Sequence, residues 1–175
     1  APVATVNISL ETDSATKTMV AGTAFTTTVD GTSFQFVTIA DITASNIGNT
    51  VAFDSTSLYE GTYVTIKYIV DTSDVEQRFL LTDDRADTST LTVQVQNAVD
   101  DSNLTTYTKA TDITQLSATS SVYYLQEVEN GRFEVYFGDD VVSKALSDGN
   151  VVILNYVVTN KTAANGASSF SAPST

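Results

Sequence analysis

Residues 122–158 read VYYLQEVENGRFEVYFGDDVVSKALSDGNVVILNYVV. Two runs rich in aromatic and β-branched residues meet at Asn130-Gly131, and a third follows Asp148-Gly149-Asn150. Asn-Gly between such runs predicts a β-hairpin, because a type I′ turn needs positive φ at both central residues. With those two residues as the loop, register follows by counting. Glu129 is expected opposite Arg132, Val128 opposite Phe133, Gln126 opposite Val135 and Tyr124 opposite Phe137. Tyr124, Val128, Phe133, Val135 and Phe137 then form the expected core face. The reverse face carries Leu125 opposite Tyr136 and Glu127 opposite Glu134. The second of these is a like-charge pair that is unfavourable unless a cation or solvent relieves it.

The same alternation recurs outward from this stretch. Val64, Ile66, Tyr68 and Val70 share one side of a strand over 62–70 and should face the core. Leu91, Val93 and Val95 alternate with Thr92, Gln94 and Gln96. Val6, Ile8 and Leu10 share a face, residues 25–29 continue the pattern, and Asp30-Gly31 is a second hairpin signal. Phe34 and Phe36 oppose Val37 and Ile39, which fits either a strand covered on both faces or a bulge. Further strands are expected over 49–53, 104–109 and 150–159. Loops are expected at 11–16, 41–49, 71–78 and 97–103, with Phe79–Leu81 as an apolar plug. A polar break is expected over 55–61. Single helical turns are expected at 112–116 and 141–146.

The expected fold class is therefore all-β, with short helical turns only, built of antiparallel strands and hairpins in a sandwich-like arrangement. It divides into an N-terminal β subdomain (1–58), a C-terminal β subdomain containing the Asn130-Gly131 hairpin (59–162), and a polar connector or tail (163–175). The first residue is Ala1, so a processed chain or an excised fragment is expected.

Composition narrows function by exclusion. Eight Lys and Arg face 21 Asp and Glu, a formal charge of −13. Such a surface repels nucleic acid and anionic membrane, so neither is an expected partner. There is no Cys and no His, which removes thiolate sites, the commonest general base and any Ser-His-Asp triad. Glu127 and Glu134 are the pair to test for carboxylate catalysis; a solvated sheet face is the plainer reading. Asp71 with Asp74 and Glu76, Asp83 with Asp84 and Asp87, Asp100 with Asp101 and Asn103, and Asp139 with Asp140 could offer oxygen to calcium. None has the spacing of a calcium-binding loop, and solvated turns are expected instead. No catalytic, cofactor-binding or metal residue is assigned.

One resemblance emerges from three ordered blocks. The central one is Glu127–Asp139, ending EVENGRFEVYFGD, followed by Leu146–Tyr156, LSDGNVVILNY. Another is Met19–Phe25 with Asp30–Phe34. A third joins Tyr59-Glu60-Gly61, Gln77-Arg78-Phe79 and Arg85–Leu91. Together they resemble the baseplate J-like proteins of contractile phage tails, and more narrowly the baseplate wedge proteins of T-even-type phages. Where that family has two further glycines after Phe-Gly-Asp, this chain has Asp140 and Ser143, so Asp140 must turn left-handed or the turn takes another path. Those proteins are much longer, so this chain is expected to be a segment.

The resemblance implies structural work in the virion, in a tail baseplate assembled in the host cytoplasm. The implied partners are other baseplate wedge proteins and further copies of the chain, as a homo-oligomer within the assembled ring. It implies no enzyme and no cofactor. Tyr123, Leu125 and Tyr136, off the expected core face, are the candidate contact patch; a second sheet packed on them inside the domain is the alternative. Two rival functions stand beside this one: a receptor- or glycan-binding β-sandwich of a tail fibre or adhesin, and a glycosidase using Glu127 and Glu134.

Overall fold

The computed structural model describes residues 1–112, 114 and 116–172. Thirteen strands dominate it, and the expected all-β class holds. Two compact units emerge: residues 1–64 with 157–175, and residues 65–156.

The first unit is a single six-stranded sheet. It contains β1 (Val3–Glu11), β2 (Thr16–Met19), β3 (Ala24–Val29), β4 (Thr32–Val37), β5 (Ile42–Ile47) and β6 (Thr50–Glu60). β1 runs antiparallel to β6 along nearly its whole length, from Val3 opposite Tyr59 to Glu11 opposite Thr50. The expected alternation of Val6, Ile8 and Leu10 holds, since each is half-buried while Thr5, Asn7 and Ser9 are exposed. β3 and β4 form the expected hairpin. Val29 pairs with Thr32 across Asp30-Gly31, whose φ values are 49° and 81°. Met19, Phe25, Phe36, Val51, Phe53 and Leu58 form the core on one face of this sheet.

Two expectations fail here. Residues 42–47 are not loop but strand β5, joined to β6 by a second two-residue turn at Gly48-Asn49, with φ of 62° and 64°. Ile42 and Ala44 pack on the core while Thr43 and Ser45 face water. The alternation is genuine, but its apolar members are few and small. Residues 55–61 are not a break, because β6 runs on to Glu60. The polar Asp54-Ser55 pair is instead a β-bulge. Val6 pairs with Thr56 and Ile8 with Phe53, Ser55 takes φ 51°, and its N–H donates to Asn7 Oδ1 at 2.8 Å. One extra residue on β6 keeps the strand going while restoring the inward face.

The second unit is organised by a seven-stranded sheet in the order β7 (Thr62–Ile69), β13 (Val151–Val158), β9 (Ala86–Gln96), β10 (Thr105–Lys109), β11 (Val122–Glu127), β12 (Phe133–Tyr136), β8 (Phe79–Leu81). The sheet curls until its two edge strands meet, forming a nearly closed barrel. The Tyr68 hydroxyl of β7 donates to the Leu80 carbonyl of β8 at 2.8 Å, and the Tyr68 and Phe79 rings meet edge to face at 5.6 Å. Phe79, Phe137 and Tyr107 continue that chain of edge-to-face contacts at 5.5 Å each. β10 and β11 pair in parallel, Thr108 opposite Val122, an exception to the antiparallel expectation. β13, VVILNYVV, is buried at all positions but the last. Such a near-continuous apolar run marks a strand covered on both faces. Residues 141–146 are a bend at 141–143 followed by irregular chain rather than the expected helical turn, and the expected turn at 112–116 lies partly outside the described residues.

Candidate interaction site

The Asn130-Gly131 reversal is a hairpin, but its register differs from the count by one residue. Tyr124 pairs with Tyr136, Leu125 with Val135, Gln126 with Glu134 and Glu127 with Phe133. The cause is the loop. Glu129–Gly131 make a single 3-10 turn, and the Val128 N–H donates to the Arg132 carbonyl at 2.8 Å. Three residues reverse the chain instead of two. Because side chains alternate, the slip exchanges the faces of β11 against β12. Tyr123 and Leu125 now share the face of the fully buried Val135, while Tyr124 and Gln126 share that of Glu134 and Tyr136.

The sequence-chosen patch is therefore split between faces. Tyr123 is buried, Leu125 is half-buried beside it, and Tyr136 stands on the opposite face with 39 % of its surface exposed. The Tyr136 hydroxyl is pushed above its ordinary pKa by desolvation and by the neighbouring Glu134 carboxylate. Glu127 and Glu134 are not opposite each other, which removes the geometry of the carboxylate pair.

Glu134 has a different partner. Only 4 % exposed, it accepts two hydrogen bonds from Arg78, from Nε at 2.8 Å and from Nη2 at 2.6 Å. Arg78 Nη1 reaches Glu129 Oε1 at 3.1 Å, and Arg132 Nη2 approaches the same oxygen at 3.6 Å. Both carboxylates reinforce the Arg78 cation, Glu134 most, while the Arg78 hydrogen bond holds Glu129 below its ordinary value. A planar guanidinium forked between two carboxylates fixes the hairpin's outer face. Sequence counting missed this because Arg78 precedes the short strand β8, far away in the chain. Its only sequence signal is its place in the Gln77-Arg78-Phe79 block.

Other residues of the resemblance blocks also acquire physical roles. Gly138 has the Ser143 carbonyl oxygen 2.1 Å from where a Cβ would lie, so only glycine fits. Asp140 takes the left-handed conformation that the missing glycines require, with φ 63°. Its N–H donates to the Ser143 carbonyl at 2.9 Å, and Asp139 Oδ1 accepts the Val141 N–H at 3.0 Å. In the first unit Glu60 is fully buried yet fully partnered. Its carboxylate accepts Thr159 Oγ1 at 2.7 Å, the Asn160 N–H at 2.9 Å and Asn160 Nδ2 at 2.8 Å. Gly61 follows at φ 128°, with the Val158 carbonyl oxygen 2.2 Å from a notional Cβ. In the sequence both stand in the Tyr59-Glu60-Gly61 block, within the stretch expected to be a polar break.

The acidic turns use their oxygens on the backbone. Asp71 Oδ1 accepts the Ser73 N–H at 2.9 Å, Asp83 Oδ1 the Arg85 N–H at 2.9 Å, and Asp101 Oδ1 the Asn103 N–H at 2.8 Å. These bonds help hold each carboxyl below its ordinary value. The Ser73 hydroxyl leads at Asp71, the Arg85 side chain at Asp83 and the Asn103 N–H at Asp101. Among the described residues no group of three or more acidic side chains is placed to hold a metal ion.

Comparison with known proteins places the chain in a family. Residues 63–167 match the family described as bacteriophage baseplate wedge protein gp6, third domain. That span contains the whole second unit, including Arg78, the hairpin and the Gly138 turn. Baseplate wedge protein gp6 of Enterobacteria phage T4 is 27% identical over 153 residues, covering 79% of this chain. The chain spans 22% of that relative's length. The match extends over more than half of the sequence, and the chain belongs to the baseplate wedge protein gp6 third-domain family.

Proposed function

We propose that this chain is a structural part of a contractile phage tail baseplate, working through protein–protein contacts and not through turnover. The observation that carries the reading is the family match over 63–167, which takes in all of the nearly closed barrel but its first residue, Thr62. Its place is the virion baseplate, assembled in the host cytoplasm. Its partners are other wedge proteins and further copies of itself. The formal charge of −13 supports protein partners over nucleic acid.

Of Tyr123, Leu125 and Tyr136, Tyr136 is the residue with ring surface to offer. It stands beside Arg78 and Glu129 on the outer face. Tyr and Arg are the side chains most enriched where a few residues dominate an interface. A glycan-binding reading would need an exposed aromatic platform, whereas Tyr68, Phe79, Phe137 and Tyr107 are committed to one another edge to face.

The test is co-expression with the other wedge proteins of the same virus, followed by analytical ultracentrifugation. A stoichiometric complex is expected, weakened about tenfold or more by Tyr136→Ala. A folded chain that stays monomeric with every wedge protein would overturn the proposal.

A further inference from the structure

In the second unit a cleft of about 290 Å³ opens between the loop that follows β7 and the chain that leads into β13. Val70, Phe79, Phe137 and Leu146 supply apolar wall, and Tyr136 borders it. Two carboxylates also line it, Asp74 and Glu134. Glu134 already has its cation in Arg78. Asp74 has none. Its Oδ1 accepts the Glu76 N–H at 3.0 Å, and among the described residues no Lys or Arg pairs with it. Apolar wall therefore runs up to a carboxylate whose charge is unmatched.

The two segments framing the cleft carry the same character outward. Residues 71–77 are held against the turn before β13, where the Thr72 N–H donates to Asp148 Oδ1 at 3.0 Å and the Gly149 N–H to the Val70 carbonyl at 2.9 Å. On the other side Asp140 Oδ1 accepts the N–H of Ala145, a lining residue, at 2.8 Å. Each segment presents a bare valine beside acids. Val75 is 95 % exposed between Asp74 and Glu76, and Val141 is 75 % exposed after Asp139-Asp140. Single exposed valines are ordinary, but two that flank one apolar cleft mark a contact surface. Lys144 is the one basic residue in 71–77 and 138–148, and it does not line the cleft.

We infer that this cleft receives a lysine side chain from a partner protein. The methylene stem would lie on Val70, Phe79 and Leu146, and the ammonium would meet Asp74. Apolar neighbours in the same partner segment would cover Val75 and Val141. Lysine buries its stem on apolar surface while its charge stays at the rim, which matches apolar wall ending in a carboxylate. One Asp74 oxygen is already engaged, so a point charge suits the site better than the two-pronged arginine fork. A free small cation would gain nothing from the walls. Acidic segments on both sides favour a basic partner and turn away an acidic one. The inference rests on the proposed role in protein–protein contact and names the chemistry of the partner.

The test uses the full chain and three short peptides. The first is acetyl-Gly-Val-Lys-Val-Gly-amide. The second has norleucine for lysine, keeping the stem without the charge. The third has diaminobutyrate, keeping the charge on a stem two methylenes shorter. Binding is read at low salt from amide shifts. The lysine peptide is expected to shift Thr72, Gln77 and Ala145. The diaminobutyrate peptide should bind about tenfold more weakly, and the norleucine peptide about threefold more weakly. Asp74→Asn keeps the acceptor for the Glu76 N–H but removes the charge, and should bring the lysine peptide down to the norleucine level. A lysine peptide that does not bind, binds no better than either analogue, or shifts amides elsewhere overturns the inference. In the complex with the other wedge proteins, Asp74→Lys should weaken association about tenfold. A complex indifferent to Asp74→Lys overturns the cleft and leaves the proposed function standing. No complex even with the unaltered chain overturns that function and this inference with it.

Discussion

The hairpins at Asp30-Gly31 and at Asn130-Gly131 carry nearly the same turn signal and resolve it differently. In the first unit the dipeptide is the whole loop, and Val29 pairs with Thr32 as counting predicts. In the second unit Glu129 joins the loop, and every pair shifts by one. Both turns place two successive residues at positive φ, so local conformation does not separate them. What separates them is what stands on the flanking strands. Thr28, Val29, Thr32 and Ser33 carry no charge. Glu127, Glu129, Arg132 and Glu134 do, and the two-residue loop would set Glu127 against Glu134. The shifted register removes that contact, seats Glu134 against Arg78, and sends Leu125 instead of Gln126 to the side of buried Val135. Turn chemistry fixes a register when nothing distant competes with it. A buried carboxylate with a distant cation and a buried face override it.

The same contrast separates the two units. Backbone close approach and one buried carboxylate tie the first unit, whereas charged side chains on turns and hairpins tie much of the second. The largest effect is expected at Gly61→Val, which drives a side chain into the Val158 carbonyl at a φ of 128°. A loss of about 4 kcal/mol or more is expected, measured by denaturant unfolding. A stable Gly61→Val chain would mean that the first unit is not held by that approach. Glu60→Ala should follow at about 3 kcal/mol, because it strands the Thr159 hydroxyl and the Asn160 N–H in a buried site.

In the second unit Arg78→Met leaves Glu134 buried without its cation. The thermal midpoint should fall by about 5 °C, and amide exchange should quicken across 124–136 while the Asp30-Gly31 hairpin is unaffected. If the register is set by turn chemistry alone, exchange at 124–136 will not change. Acid should act on the same unit. Asp71, Asp83, Asp101, Glu129 and Asp139 all titrate below their ordinary values when folded. The stability they contribute is present above the ordinary carboxylate range and is lost as pH falls through the lower folded values. Thermal midpoints measured from pH 6 down to about 2 should decline below about pH 4. Glu129's share should shrink in Arg78→Met, because Arg78 supplies its largest stabilising bond while its backbone bond and Arg132 remain. The smallest effect is expected at Gly31→Ala and Gly131→Ala. Neither Cβ would meet an atom within 4 Å, so each loses only the conformational preference of glycine, about 1 kcal/mol.

Much of the architecture was legible in the sequence because alternation is a local property. Val64, Ile66, Tyr68 and Val70 turn inward while Thr65, Lys67 and Ile69 are exposed, and the strands around Val93 and Tyr107 lie where their patterns place them. The left-handed Asp140 is one of the two outcomes that the missing glycines left open, and the structure selects it. β5 escaped notice because its inward residues are Ile42 and Ala44 among Thr, Ser and Asn, too little apolar contrast to signal a strand. The polar Asp54-Ser55 pair looked like a break because a bulge and a loop have the same composition. At the candidate site, Tyr136 was legible as surface while Tyr123 was not legible as core. A face depends on register, and register depended on Arg78.

The sequence by itself determined that this chain is pleated, acidic, without cysteine or histidine, and reversed at Asp30-Gly31 and near Asn130-Gly131. Each of these rests on neighbouring residues or on composition. Only the tertiary structure decided that β7 and β8 close the sheet through Tyr68, that Arg78 holds the hairpin one residue out of its counted register, and that residues 157–175 return to the first unit. Those outcomes turn on contacts between residues distant in the chain, where a single carboxylate or a single missing Cβ selects among arrangements that local preference leaves nearly equal.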